Sequence, residues 1–124
     1  MTLVAHAFIV DDEEMVRTSL GKLLRAIGIP STAFPSGEAF LERFTGEEQG
    51  CLIVDIRMPG MSGLDMLEEL QQRGSVLPAI VMTGHTDEGS ARRLGSLRPL
   101  GLLEKPFSVA QLKQMLRRAA EQGG

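Results

Sequence analysis

The sequence predicts an α/β domain in which one doubly wound parallel sheet of five short strands carries helices on both faces. Three observations predict it. Short apolar runs alternate five times with segments of helical period. Those runs lack the apolar–polar alternation of a sheet with one wet face, so helices must cover both. Four of the five runs also deliver a polar or charged residue to their C-terminal end. Open parallel sheets carry their sites there, at a switch in strand order.

Each element follows from local pattern. Residues 7–10 (AFIV) form a first strand ending at Asp11. Val16, Leu20, Leu23 and Ile27 then recur at helical spacing, and Gly28 stops that helix. Residues 29–34 are a second strand, broken by Pro35, Ser36 and Gly37. Residues 38–44 read as a helix with Phe40 and Phe44 on one face, and residues 51–54 (CLIV) as a third strand ending at Asp55. The turn-rich segment MPGMSG (58–63) leads into a helix over 64–73. Residues 78–82 are a fourth strand ending at Thr83. A loop over 84–88 precedes a weak helix reaching about Leu97, with Gly89 and Gly95 inside it. Each glycine costs such a helix roughly 1 kcal/mol relative to alanine. Residues 100–103 are a fifth strand, ending just before Lys105. Ser108 and Gln111 form a capping box opening the last helix, which runs through Val109, Leu112, Leu116 and Ala119.

Composition narrows the class. The 124 residues suit one domain, possibly with a linker beginning over 121–124, and 43% hydrophobic with 23% charged residues is ordinary for a soluble protein. No apolar run approaches the roughly 18 residues that span a bilayer. The N-terminus has no basic region and meets Asp11 early, so no secretory signal is expected. A single cysteine, Cys51, excludes an internal disulfide and reads as a core residue. His6 reads as exposed, and Lys113, Arg117 and Arg118 as a solvated helix face. A net charge of −3 argues against direct nucleic-acid binding, which needs a basic patch. There are five Phe but no Trp and no Tyr.

The residues at the strand ends are Asp11 and Asp12, then Asp55, Thr83 and Lys105. Three converging carboxylates repel unless a cation sits among them. Oxygen ligands on rigid strand ends suit a hard cation such as Mg²⁺. A carboxylate beside that cation, an amine and a hydroxyl is a plausible phosphoryl acceptor, since cations neutralise the charge on the transferring group. Each residue alone has a plainer explanation. Asp11 with Glu14 fits a helix-capping pattern, Thr83 a turn, and Lys105 before Pro106 a solvated loop. Their joint placement at four strand ends is what those explanations leave out.

FIVDDEE (8–14), LIVDIRMPGMSG (52–63), IVMTGH (80–85) and LLEKPF (102–107) together resemble the receiver domain of bacterial two-component response regulators. The resemblance covers essentially the whole chain. MPGMSG and TGH are most similar to the branch that includes the nitrogen-fixation regulator, whose receiver precedes a helix-turn-helix domain. It implies a flavodoxin-like sheet of order 2-1-3-4-5 and a cytoplasmic phosphorelay protein. Asp55 resembles the phospho-acceptor, Asp12 the direct Mg²⁺ ligand and Asp11 the residue that orients metal-bound water. The Arg57 carbonyl resembles the third protein ligand. Thr83 resembles the hydroxyl that moves toward the phosphoryl group, and Lys105 its ammonium partner, with a cis bond to Pro106. Arg57 and His85 stand where side chains tune autodephosphorylation. The implied partners are a sensor histidine kinase and an output domain or second copy across the helix 4–strand 5 face, with no membrane and no nucleic acid.

The sequence departs from the family at two places. Receivers carry an inward-turning aromatic three residues before the lysine, and here that position is Leu102. The small pair that usually leads into strand five is Arg98-Pro99. Output is therefore expected to be atypical, through order and disorder over 86–98. Three rival readings follow. A degenerate receiver would dock without phosphate. An aspartate-nucleophile phosphatase of the haloacid-dehalogenase type needs a second Asp where Arg57 stands. A flavin binder needs a Ser/Thr/Gly cradle where Asp11, Asp12, Glu13 and Glu14 stand.

Overall fold

In the computed structural model, residues 4–84 and 88–122 are described. Five parallel strands lie in the order β2-β1-β3-β4-β5. The elements are β1 (Ala7–Val10), α1 (Glu14–Ala26), β2 (Ser31–Phe34), α2 (Gly37–Arg43), β3 (Cys51–Asp55), α3 (Gly63–Gln72), β4 (Ala79–Thr83), α4 (Glu88–Leu97), β5 (Gly101–Glu104) and α5 (Val109–Glu121). This is the flavodoxin-like arrangement expected.

Strand side chains alternate between two half-cores, as a period of two requires. Ile9, Ile53, Ile80, Met82 and Leu103 pack with Leu20, Leu24, Leu112 and Leu116 of α1 and α5. Val10, Leu52, Val54 and Val81 pack with Phe40, Leu64, Met66, Leu67 and Leu94 of α2, α3 and α4. Residues 51–55 and 79–83 are buried throughout, so these inner strands read as continuous apolar runs. The sheet reverses its order between β1 and β3, and the ends of those strands place Asp11 and Asp55 side by side.

Several boundaries differ from the sequence reading for local reasons. β2 begins at Ser31, because Pro30 has no N–H for a ladder and contributes only its carbonyl, to the Ala7 amide. Asp55 and Thr83 are the last residues of their strands rather than the first beyond them. β5 begins one residue late, at Gly101. Arg98 adopts φ +51°, and Pro99 falls outside the ladder, where its missing donor costs nothing. The expected stop and start signals both work: Gly28 takes φ +85° after α1, and the Ser108–Gln111 capping box that opens α5 is complete. The expected Asp11–Glu14 cap is not made. Glu13 is the N-cap of α1 and makes no side-chain cap bond. Glu121, read as the start of a linker, is the last residue of α5.

Two further positions are resolved. Cys51 is buried, and burial pushes its thiol up to about 12, so it is inert near neutrality. His6 is not simply exposed. It is half-buried, its Nε2 lies 2.8 Å from Thr32 Oγ1, and its ring packs at a tilt against Phe8 with centroids 4.8 Å apart.

Helix α4 buries Leu94 and carries two glycines, Gly89 and Gly95. Gly95 is exposed, has ordinary φ and has open space where a Cβ would stand. Gly95→Ala is therefore expected to stabilise the domain by about 0.5–1 kcal/mol in urea unfolding.

Candidate functional site

The site lies outside the C-terminal ends of the strands. Asp11 follows β1 and is fully buried, and Asp55 and Thr83 end β3 and β4, 5% and 0% exposed. Lys105 follows β5, half-buried, with its Nζ 3.5 Å from Asp11 Oδ2 and 3.5 Å from Asp55 Oδ2. Its peptide bond to Pro106 is cis. Residues 94 positions apart in sequence are thus joined across the sheet edge.

Backbone amides fix the two buried carboxylates. The Glu13 N–H donates to Asp11 Oδ1 at 2.9 Å, and the Arg57 N–H donates to Asp55 Oδ1 at 3.1 Å. Arg57 is therefore placed beside the acceptor candidate by its main chain, while its residue surface is exposed. Burial raises the Asp11 carboxyl above the usual carboxylate range, and the Glu13 amide and Lys105 offset only part of that. For Lys105 burial alone would lower the ammonium. The Asp11 and Asp55 charges outweigh it and hold the ammonium above its ordinary range.

Oxygens of Asp11, Asp12, Glu13 and Asp55 all lie within 4.8 Å of one another. Asp12 and Glu13 are exposed, while Asp11 and Asp55 are buried. One ammonium cannot neutralise four carboxylates, two of them out of water. The donor set is all oxygen, on rigid strand ends, and fits a hard divalent cation rather than a soft one. No His or Cys joins the cluster among the described residues.

The structure thus brings Asp11, Asp12, Asp55 and Lys105 together, with Thr83 buried at the end of the neighbouring strand. His85 lies outside the described residues. Leu102 stands apart from the cluster on edge strand β5, 38% exposed. Two contributors were not singled out from sequence. Glu13 joins the carboxylates, although the run of four acids at 11–14 was the signal for it. Arg17 donates from Nη1 to the Asp11 carbonyl at 2.8 Å and pins the loop after β1 to α1. Nothing in helical periodicity distinguishes that arginine from any other solvated one.

The other side of the site is built by close approach. The Gly63 amide donates to the Ile56 carbonyl at 3.2 Å. A Cβ on Gly63 would fall on the Asp55 carbonyl oxygen and 2.8 Å from Ile56 Cα. Only glycine lets the start of α3 sit against the peptide that follows Asp55.

Known proteins are similar to this chain in sequence and fold. FixJ, a transcriptional regulatory protein of Azorhizobium caulinodans, is 42% identical over 119 residues, covering 93% of this chain and 56% of that protein. The DNA-binding transcriptional regulator NtrC of Klebsiella pneumoniae is 37% identical over 113 residues, covering 91% of this chain and 24% of that protein. The crystal structure of FixJ-N matches with a TM-score of 0.86 at 37% identity, covering 94% of this chain and 93% of that one. The chain therefore spans little more than half of the FixJ relative and about a quarter of NtrC. The branch expected from MPGMSG and TGH is represented among these relatives. Among the described residues no helix is long and apolar enough to cross a membrane. Residues 7–117 match the response regulator receiver domain, and the chain belongs to that family.

Proposed function

We propose that this domain accepts a phosphoryl group on Asp55 from a phosphohistidine of a sensor kinase and thereby controls an output. The observation that carries the reading is the Lys105 ammonium set 3.5 Å from both Asp11 and Asp55, beside four converging carboxylates. Asp11, Asp12, Asp55 and the Arg57 carbonyl would hold Mg²⁺, with Glu13 adjacent. When bound, Mg²⁺ supplies positive charge to the phosphoryl oxygens and screens the carboxylates from one another.

The chain's own residues do the rest. The Asp55 oxygen that faces Lys105, Oδ2, attacks phosphorus in line, the phosphorus–nitrogen bond of the phosphohistidine breaks, and the imidazole leaves and takes up a proton. The product is a mixed anhydride on Asp55. The Arg57 amide keeps the other Asp55 oxygen from rotating away. Lys105 neutralises a phosphoryl oxygen in the transition state, and the Thr83 hydroxyl hydrogen-bonds another. Arg57 and His85 tune how fast water later hydrolyses the anhydride. No reduction or oxidation is involved, and the domain is a phosphoryl carrier rather than an enzyme acting on a separate substrate.

Output coupling without a ring at Leu102 runs through α4 and the β5 edge, toward an attached output domain or a second copy. Such a protein works in the cytoplasm, where its kinase presents the phosphohistidine.

The reading is tested by intact-mass spectrometry after treatment with acetyl phosphate. A gain of one phosphoryl group is expected with Mg²⁺ and none with EDTA. No gain in either condition would overturn it and favour a docking domain that never takes phosphate.

A further inference from the structure

We propose that a cavity at the opposite end of the sheet from Asp55 binds a small organic acid with an aliphatic tail, its carboxylate held by Arg98. This site is independent of the phospho-acceptor chemistry.

The cavity lies where β4 and β5 begin and where α3, α4 and α5 end. Its volume is about 270 Å³. Leu67, Leu70 and Leu100 line it from the buried side, with Leu97 half-buried beside them. Gln71, Arg98 and Gln122 line it from the exposed side. An apolar floor under a few polar groups is the usual build of a small-molecule site. A cavity of about 150 Å³ holds benzene, so this one takes a tail of roughly eight carbons.

The head group follows from Arg98. Among the described residues that line the cavity it alone is charged. No carboxylate pairs with its guanidinium among the described residues. Its backbone is also unusual. Arg98 takes φ +51°, in the left-handed region, and its N–H donates to the Leu94 carbonyl at 3.0 Å to close α4. Helices that close in this conformation most often do so on glycine, which takes positive φ without a Cβ clash. Here an arginine holds that position, and Pro99 follows it. Such an outlier points to a use for the side chain. Arg98-Pro99 is one of the two places where the sequence departs from its family, and phosphoryl transfer makes no use of the pair. A guanidinium fork fits a carboxylate with two parallel N–H bonds. A cationic head would be repelled by it, and a neutral head would leave its charge unmatched.

The test is an NMR titration of the isotope-labelled chain with sodium octanoate, read at the backbone amides of Leu97, Arg98, Leu100 and Gln122. Saturable shifts are expected there and not at Asp11 or Asp55. Octanoate is expected to bind about tenfold more tightly than octanol. It should also bind about tenfold more tightly than hexanoate, which lacks two methylenes. Arg98→Gly keeps the turn, since glycine takes this φ, and lowers octanoate to the affinity of octanol. Val76→Asp adds a carboxylate at a lining position that is 90% exposed, so the fold is kept. It should weaken octanoate by about threefold or more and leave octanol unchanged. Both variants retain the dispersed spectrum of the folded chain. Octanoate that leaves those amides unmoved overturns the proposal. Octanoate that binds no more tightly than octanol also overturns it, and makes Arg98 only a counter-charge to the end of α4. Octylamine binding more tightly than octanoate overturns the choice of an acid. Shifts at the same amides that grow with protein concentration alone mean that a second copy covers the cavity, and they overturn the proposal as well.

Discussion

Asp55→Asn is expected to abolish phosphoryl uptake from acetyl phosphate while leaving the fold intact. The amide has nearly the volume of the carboxylate, and its oxygen can still accept the Arg57 N–H bond that fixes residue 55. It cannot act as the nucleophile, because an amide oxygen lacks the negative charge that forms the anhydride. The same change removes one of the carboxylates crowded within 4.8 Å. In EDTA the variant should therefore unfold at a temperature equal to or above that of the native chain, since like-charge repulsion falls. With Mg²⁺ its thermal gain should shrink, because a ligand that binds only the folded state stabilises in proportion to its affinity. Intact-mass spectrometry and thermal unfolding in the two buffers check both halves. A variant that still gained a phosphoryl group would place the acceptor elsewhere in the cluster.

Gly63→Ala is expected to cost roughly 3 kcal/mol or more, the upper end for overpacking, because the new methyl meets backbone rather than a yielding side chain. For a domain of this size that corresponds to a loss of about 10 °C in the unfolding midpoint. The start of α3 must withdraw from the peptide after Asp55, so phosphoryl uptake should slow as well. Gly95→Ala is the matched control, with the same change of side chain and the opposite sign of effect. Calorimetry on the pair, with acetyl phosphate kinetics on Gly63→Ala, decides it. A Gly63→Ala domain as stable as the native one would mean that α3 is free to shift.

Much of this was readable before any coordinates. Inner strands must be apolar on both faces, so residues 51–54 and 78–82 stand out as uninterrupted runs, and whatever polar residue ends each run is delivered to one edge. Asp55, Thr83 and Lys105 were found that way. The contributions of Glu13 and Arg17 were not. Each depends on where a long side chain lands after helices have packed, and period alone does not encode that. The capping role expected of Asp11 fails for a related reason. Its carboxylate is turned into the site, toward Lys105 and the Glu13 amide, and cannot also cap α1. His6 is half-buried rather than exposed because it meets Thr32 on the adjacent strand, a pairing that local sequence pattern does not encode. The shortage of aromatics was readable as well, and it falls at Leu102, on the edge of the sheet.

Cys51 has a use that its chemistry does not suggest. It is the single cysteine of the chain, and its thiol is held protonated deep in β3. A cysteine introduced on the surface would thus be the only thiolate available to a maleimide near neutral pH. Ser96→Cys, on the exposed side of α4, would carry a spin or fluorescent label at one known position with no background to remove. The native chain is already a single-label scaffold for watching α4.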